Sequence, residues 1–148
     1  MPAGEALLAY FDTSVLVKCY VTERGSDDAV AALRRHAVMS SAIAPIEIAS
    51  ALRRRRDAGE ITAAELRTVQ SRLQRERAAW VLRLPDAPLL DRAERVAERL
   101  VVRALDAVHL ASALLFCEEA ALRTPFVTAD GRQRQAATAL GLDVLFIQ

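Results

Sequence analysis

Lysine is almost missing from this chain. Lys18 is the only one, and arginine supplies nearly all of the 20 positive side chains. They face 19 acids, so the formal net charge is +1, and no global basic field draws the whole molecule to nucleic acid. Aromatic residues are 5% of a sequence that is 53% hydrophobic, so aliphatic side chains must build the core. Cysteine is scarce as well. Cys19 and Cys117 sit inside apolar patterns with no metal-like spacing, which argues against a disulfide framework and for a reducing, cytoplasmic setting. Long apolar runs are also wanting. The N-terminal "MPAGEALLAYFD" has no basic leader region and no cleavage site, and its run is too short for a signal or a span. "LDAVHLASALLFCEEAAL" is apolar, but Asp106, His109 and two glutamates argue against a membrane helix.

What is present suits one globular domain over residues 1–148, long enough for a substantial core, with 26% charged residues. Leu7–Phe11 reads as a first strand, and Thr13 or Ser14 as the cap of a helix running to about Tyr20. "ERGSDDAVAALRRH" predicts a helix with acids in its first turn and arginines near its end, the order that the helix dipole favours. "AVMSS" is a second strand. "APIEIASALRRRRDAGE" is a helix with Pro45 near its start and Gly59 past its end. Thr62 to Glu65 spells a capping box, followed by an apolar stripe of Leu66, Val69, Leu73 and Trp80. "WVLRLP" is a short third strand. Two helices follow, then the strand "PFVTAD", a helix stopped by Gly141, and a last strand in "LDVLFIQ". Strands alternating with helices predict an α/β fold, a mostly parallel sheet covered on both faces.

Ligands in such folds bind beyond the carboxyl ends of the strands, and four acids fall near that edge. Asp12 directly follows the first strand. Glu47 lies in the first turn after the second. Asp106 opens an apolar helix, and Asp130 follows "FVTA". Asp12, Asp106 and Asp130 each also read as ordinary helix caps. Glu47 does not, because Ile46 and Ile48 flank it, and a charge beside a core is costly unless it is paired or binds a metal. Clustered carboxylates repel unless a cation neutralises them, and the short acidic motifs themselves offer no lysine or arginine. Hard oxygen ligands select Mg²⁺ or Mn²⁺. A metal there suits hydrolysis of a phosphodiester without a covalent protein intermediate.

"FDTSVLVKCYVTERGS", "SSAIAPIEIASAL", "RALDAVHLASALL" and "FVTADGRQRQAATALGL", taken together and in this order, resemble the PIN-domain family, and within it the VapC-type toxins of toxin–antitoxin pairs. The resemblance implies a three-layer α/β/α sandwich and metal-dependent cleavage of single-stranded or loop RNA. It maps a catalytic, metal-binding set onto Asp12, Glu47, Asp106 and Asp130. It puts Thr13 and Ser14 in the place of a small hydroxyl residue that orients the first acid or the phosphate. Arg54, seven residues after Glu47, is a candidate for RNA phosphates. Some members carry a further acid after the fourth. Here Gly131, Arg132 and Gln133 stand there, which argues against a second metal. The implied partners are RNA, a second copy of the chain, and a small antitoxin lying across the helices that carry Glu47 and the Leu66/Leu73 stripe.

His109, one turn after Asp106, reads first as a packed core histidine and second as a visitor to the site. Arg53 to Arg56 do not form one patch, because consecutive helical residues point about 100° apart. Thr128 reads either as a support for Asp130 or as a plain strand residue. Alternatives of other classes are an RNA-processing nuclease without a toxin role and a binding module that has lost cleavage. A haloacid-dehalogenase-type phosphatase wants an acid where Ser14 stands, and a dinucleotide site wants a glycine-rich turn after the first strand.

Overall fold

The computed structural model describes residues 7–148. The leader-free reading of the N-terminus rests partly on residues 1–6, which lie outside the described residues. The chain runs β1 (Leu7–Phe11), α1 (Thr13–Tyr20), α2 (Ser26–Arg35), β2 (His36–Ser41), α3 (Ala44–Asp57), α4 (Ala63–Glu76), β3 (Val81–Arg83), α5 (Ala87–Arg99), α6 (Ala104–Ala120), β4 (Phe126–Thr128), α7 (Gly131–Ala139) and β5 (Val144–Phe146). The order is the expected one, with a 3-10 turn (Arg77–Ala79) added after α4.

Five strands form one sheet in the order β3-β2-β1-β4-β5, and every pairing is parallel. The period-two alternation of a strand sends neighbouring side chains to opposite faces. Ala9 and Phe11 enter one core with α1 to α4, while Tyr10 enters the other with α5 to α7. That makes three layers, α/β/α. Both faces are covered, so β1 reads as a continuous apolar run rather than an alternating one. Leu16 and Leu52 anchor the first core and Leu110 the second, all essentially inaccessible. Truncating any one to alanine costs about 2–5 kcal/mol.

Local signals set the helix ends. Asp12, not Thr13 or Ser14, caps α1: its carboxylate accepts from the Val15 amide at 3.3 Å. The capping box of Thr62 and Glu65 is formed, with both reciprocal bonds present. Gly141 ends α7 in the left-handed region at φ +80°, where a side chain would be strained. The stripe expected on α4 stops short. The helix ends at Glu76, and Trp80 reaches the same core from beyond the 3-10 turn, its ring centroid 6.4 Å from that of Tyr20. Leu73 is buried, with Leu66 and Val69 partly buried against that core. No single helix among the described residues is long and apolar enough to cross a membrane.

The chain builds outward from β1 to β2 and β3, then crosses back to place β4 on the other side of β1. The carboxyl ends of β1 and β4 therefore border the point where the winding direction changes. Side chains just past those two strands face a crevice that the sheet itself cannot fill.

Candidate active site

Asp12 is the residue after β1, and Asp130 lies two residues after β4. Glu47 and Asp106 sit in the first turns of α3 and α6. Helices that cross between parallel strands run back against them, so these first turns lie at the same edge as the strand ends. All four acids line one cavity of about 360 Å³, together with Thr13, Ser14 and Arg54. The fold thus brings together all seven residues singled out in the sequence.

The two hydroxyls beside Asp12 serve different acids. Ser14 donates to Asp12 Oδ1 at 2.5 Å, and its oxygen accepts from the Ala129 amide at 2.9 Å. Thr13 donates to Glu47 Oε1 at 2.7 Å. Thr128, at the end of β4, donates to Asp12 Oδ2 at 2.5 Å and accepts from the Asp130 amide at 3.0 Å. It is no plain strand residue, for it ties the first acid to the fourth. Both oxygens of Asp12 are held, and the residue is 3% exposed. Even so, burial pushes its carboxyl above the usual range. The charge of His109 and the bonds from Ser14, Thr128 and the Val15 amide oppose that rise without cancelling it.

Glu47 goes the other way. Burial lifts it, but the bond from His109 and that histidine's charge, with help from Thr13 and Arg103, bring its carboxyl below the usual range. His109 is the pivot of this contact. Its Nε2 lies 2.5 Å from Glu47 Oε1, and its Nδ1 lies 2.8 Å from the hydroxyl of Tyr10. The ring is 2% exposed. Both sequence readings of His109 hold, since it is a core residue packed edge-on to Tyr10 and a member of the site.

Asp106 and Asp130 share a cation that the sequence reading overlooked. Arg103 lies 3.1 Å from Asp106 and 3.5 Å from Asp130. The acidic motif "RALDAVHLASALL" does offer an arginine, three residues before its acid, which corrects the expectation that it offered none. Asp130 also caps α7, accepting from the Arg132 amide at 2.7 Å. Capping and cavity lining coexist in Asp12 and Asp130. Asp106 caps nothing, because the cap position of α6 is Arg103. Arg54 donates to the Ser50 hydroxyl at 2.7 Å. Its neighbours Arg53 and Arg55 turn to Asp57 and to Glu23 and Glu60, so the arginine run does diverge.

The donor set suits a hard divalent cation: four carboxylates, two hydroxyls and no thiolate on one cavity. A further oxygen is at hand, since Oε1 of the buried Gln133 in the cavity wall has no hydrogen-bond partner. Its amide nitrogen lies 3.4 Å from Asp106 Oδ1. Among the described residues no three His, Cys, Asp or Glu groups converge closely enough to hold an ion as they stand. The acids are turned instead to Ser14, Thr128, His109 and Arg103.

Four site residues escaped the sequence reading or were undervalued there. Tyr10 hid inside an apolar strand, and Gln133 inside a polar helix. Arg103 looked like one arginine among many. His109 gave the one usable signal, a histidine one turn after an acid on an apolar helix.

A family model described as "PIN domain" matches residues 9–139. A search of curated proteins gave no match. Among solved structures, a toxin-antitoxin complex from Klebsiella pneumoniae has a similar fold, with a TM-score of 0.58 and 17% identity, over 84% of this chain and 88% of that one.

Proposed function

Since this chain belongs to the PIN-domain family, whose members are generally metal-dependent nucleases, we propose that it is an Mg²⁺- or Mn²⁺-dependent endoribonuclease of the VapC toxin type. It cuts single-stranded or loop RNA and is silenced by a small antitoxin. The observation that carries the reading is the convergence of Asp12, Glu47, Asp106 and Asp130, from four separate stretches of sequence, on one cavity at the switch point of the sheet. A toxin–antitoxin complex of similar fold supports the antitoxin partner. A homodimer completes the expected partners.

The four acids would hold the cation, which when bound makes a water more acidic and offsets charge on a phosphate. The protein's own part is positioning. Ser14 and Thr128 fix both oxygens of Asp12, and Thr13 and His109 fix one oxygen of Glu47. Losing a residue that orients a ligand in this way typically costs about 10–100-fold in metal affinity. Arg54 and Arg103, both on the cavity wall, bring positive charge to a phosphate that the acids alone would repel.

The deciding experiment expresses the chain alone and maps RNA ends. Cleavage is expected with Mg²⁺ or Mn²⁺ and is lost in EDTA. Full cleavage by protein verified as metal-free would sink the mechanism. The protein encoded beside this one should bind tightly and inhibit, with a basic side chain directed at the acids. A neighbour that neither binds nor inhibits would leave an RNA-processing nuclease as the better reading.

A further inference from the structure

Next to the acidic cavity lies a second, more open depression of about 540 Å³. Thr13, Ser14, Glu47, Arg54, Arg103 and Asp130 line both, so the two are continuous. The character of the wall changes from one to the other. The second adds Lys18, Arg55 and Arg132, and on the acidic side only Glu23. Lys18 and Arg55 both spend their charge on Glu23, and Arg103 is held by Asp106 and Asp130. Two guanidinium groups are left over. Arg54, on α3, bonds only a neutral hydroxyl. Arg132, on α7, bonds through its backbone amide alone among the described residues. The space at the start of α7 is open, since a Cβ on Gly131 would meet nothing within 4 Å.

We propose that this trench is a phosphate-binding subsite for the single strand of RNA on one side of the scissile bond, with Arg54 and Arg132 as its ligands. The inference rests on the nuclease reading and gives the substrate a direction. A strand with one phosphate over the acids must carry its next phosphates away from them. Among the described residues the trench is a path continuous with that cavity on which positive charge is uncommitted. Guanidinium groups match phosphate oxygens two at a time. A row of Arg92, Arg95 and Arg99 on α5 lines a different depression that contains none of the four acids, so it supplies the control.

The experiment measures binding of a fluorescein-labelled single-stranded RNA by anisotropy across a KCl series in EDTA, where cleavage is suppressed. Wild type is compared with Arg54→Ala, Arg132→Ala, the double variant and Arg95→Ala, each checked for an unchanged melting temperature. Each trench variant should weaken binding several-fold and flatten the slope of log K against log salt by about 0.7, the counterion release of one single-strand phosphate contact. The double variant should lose about twice that, and Arg95→Ala should match wild type. A double variant with wild-type affinity and slope overturns the proposal. So does one that keeps RNA binding but loses binding of the protein encoded beside this one, because the trench is then a protein-docking face. Cleavage with Mn²⁺ is read separately. Cleavage with an unchanged salt slope leaves the nuclease and removes the trench, whereas a flattened slope without cleavage does the reverse.

Discussion

The hydroxyl of Tyr10 lies 2.8 Å from Nδ1 of His109, on the far side of the imidazole from Glu47. A carboxylate only accepts, so the ring must present N–H at Nε2. In the neutral ring Nδ1 is then an acceptor, and the fully buried Tyr10 hydroxyl donates to it. In the neutral ring Tyr10 thus favours the tautomer that holds Glu47 Oε1, and in the charged ring Nδ1–H donates to Tyr10 instead, while Oε2 has no protein partner among the described residues.

Tyr10→Phe keeps the ring and removes that selection. It should destabilise the protein by about 1–3 kcal/mol, the cost of a buried nitrogen left unpaired. It should also weaken Mn²⁺ binding about 10–100-fold, as loss of an orienting partner does. Calorimetric titration and the ¹⁵N shifts of the His109 ring read the two effects separately. Unchanged affinity with an altered tautomer would detach the relay from the metal.

Asp12→Asn tests the first acid. Burial holds the folded carboxyl above its unfolded value, so the native state binds protons more readily than the unfolded one. Stability of the metal-free protein therefore falls as pH rises from the unfolded value through the folded one. Asparagine is also a good helix cap. The variant should melt higher than metal-free wild type at neutral pH, with the gain shrinking in acid, and it should not cleave RNA. Wild-type turnover would refute the ligand role. A lower melting temperature at neutral pH would mean that the bonds Ser14 and Thr128 donate to the two carboxylate oxygens, one of which an amide cannot accept, matter more than the buried charge.

Arg103→Gln removes the guanidinium that Asp106 and Asp130 share. The arginine competes with a cation for those oxygens, so Mn²⁺ should bind several-fold more tightly in the variant. The effect is moderate because the side chain is 70% exposed and solvent screens it. Weaker binding would show that Arg103 orients the acids rather than competing for them.

Far from the site, Glu76 accepts from the Tyr20 hydroxyl at 2.6 Å and pairs with Arg72 at 2.7 Å, joining α4 to α1. Burial raises its carboxyl, but these two partners bring it below the usual range. Its contribution is complete above an unfolded value of about 4.3 and is lost as pH falls through the folded one. Glu76→Gln should cost about 0.5–1 kcal/mol at neutral pH, since the pair is partly exposed. The gap to wild type should close on acidification. Melting curves at neutral and acid pH would show it, and a gap that persists in acid would mean that shape, not charge, is what the glutamine loses.

The order of strands and helices was legible because it depends on local signals. The periodicity changes between strand and helix, Pro45 opens α3, Gly141 closes α7, and the capping box starts α4. The acids were legible for a related reason: a carboxylate at the end of an apolar run lacks a local partner, and the chain must supply one. Their convergence was not determined there. It follows from the strand order, which sets β4 beside β1 and so brings Thr128 to Asp12 across 116 residues. The relay of Tyr10 and His109 likewise exists only because α6 packs on the face of β1 that Tyr10 enters. Arg103 is the plainest case. Local sequence fixes its place three residues before Asp106, but only the packing of α7 against α6 brings Asp130 within reach of the same guanidinium.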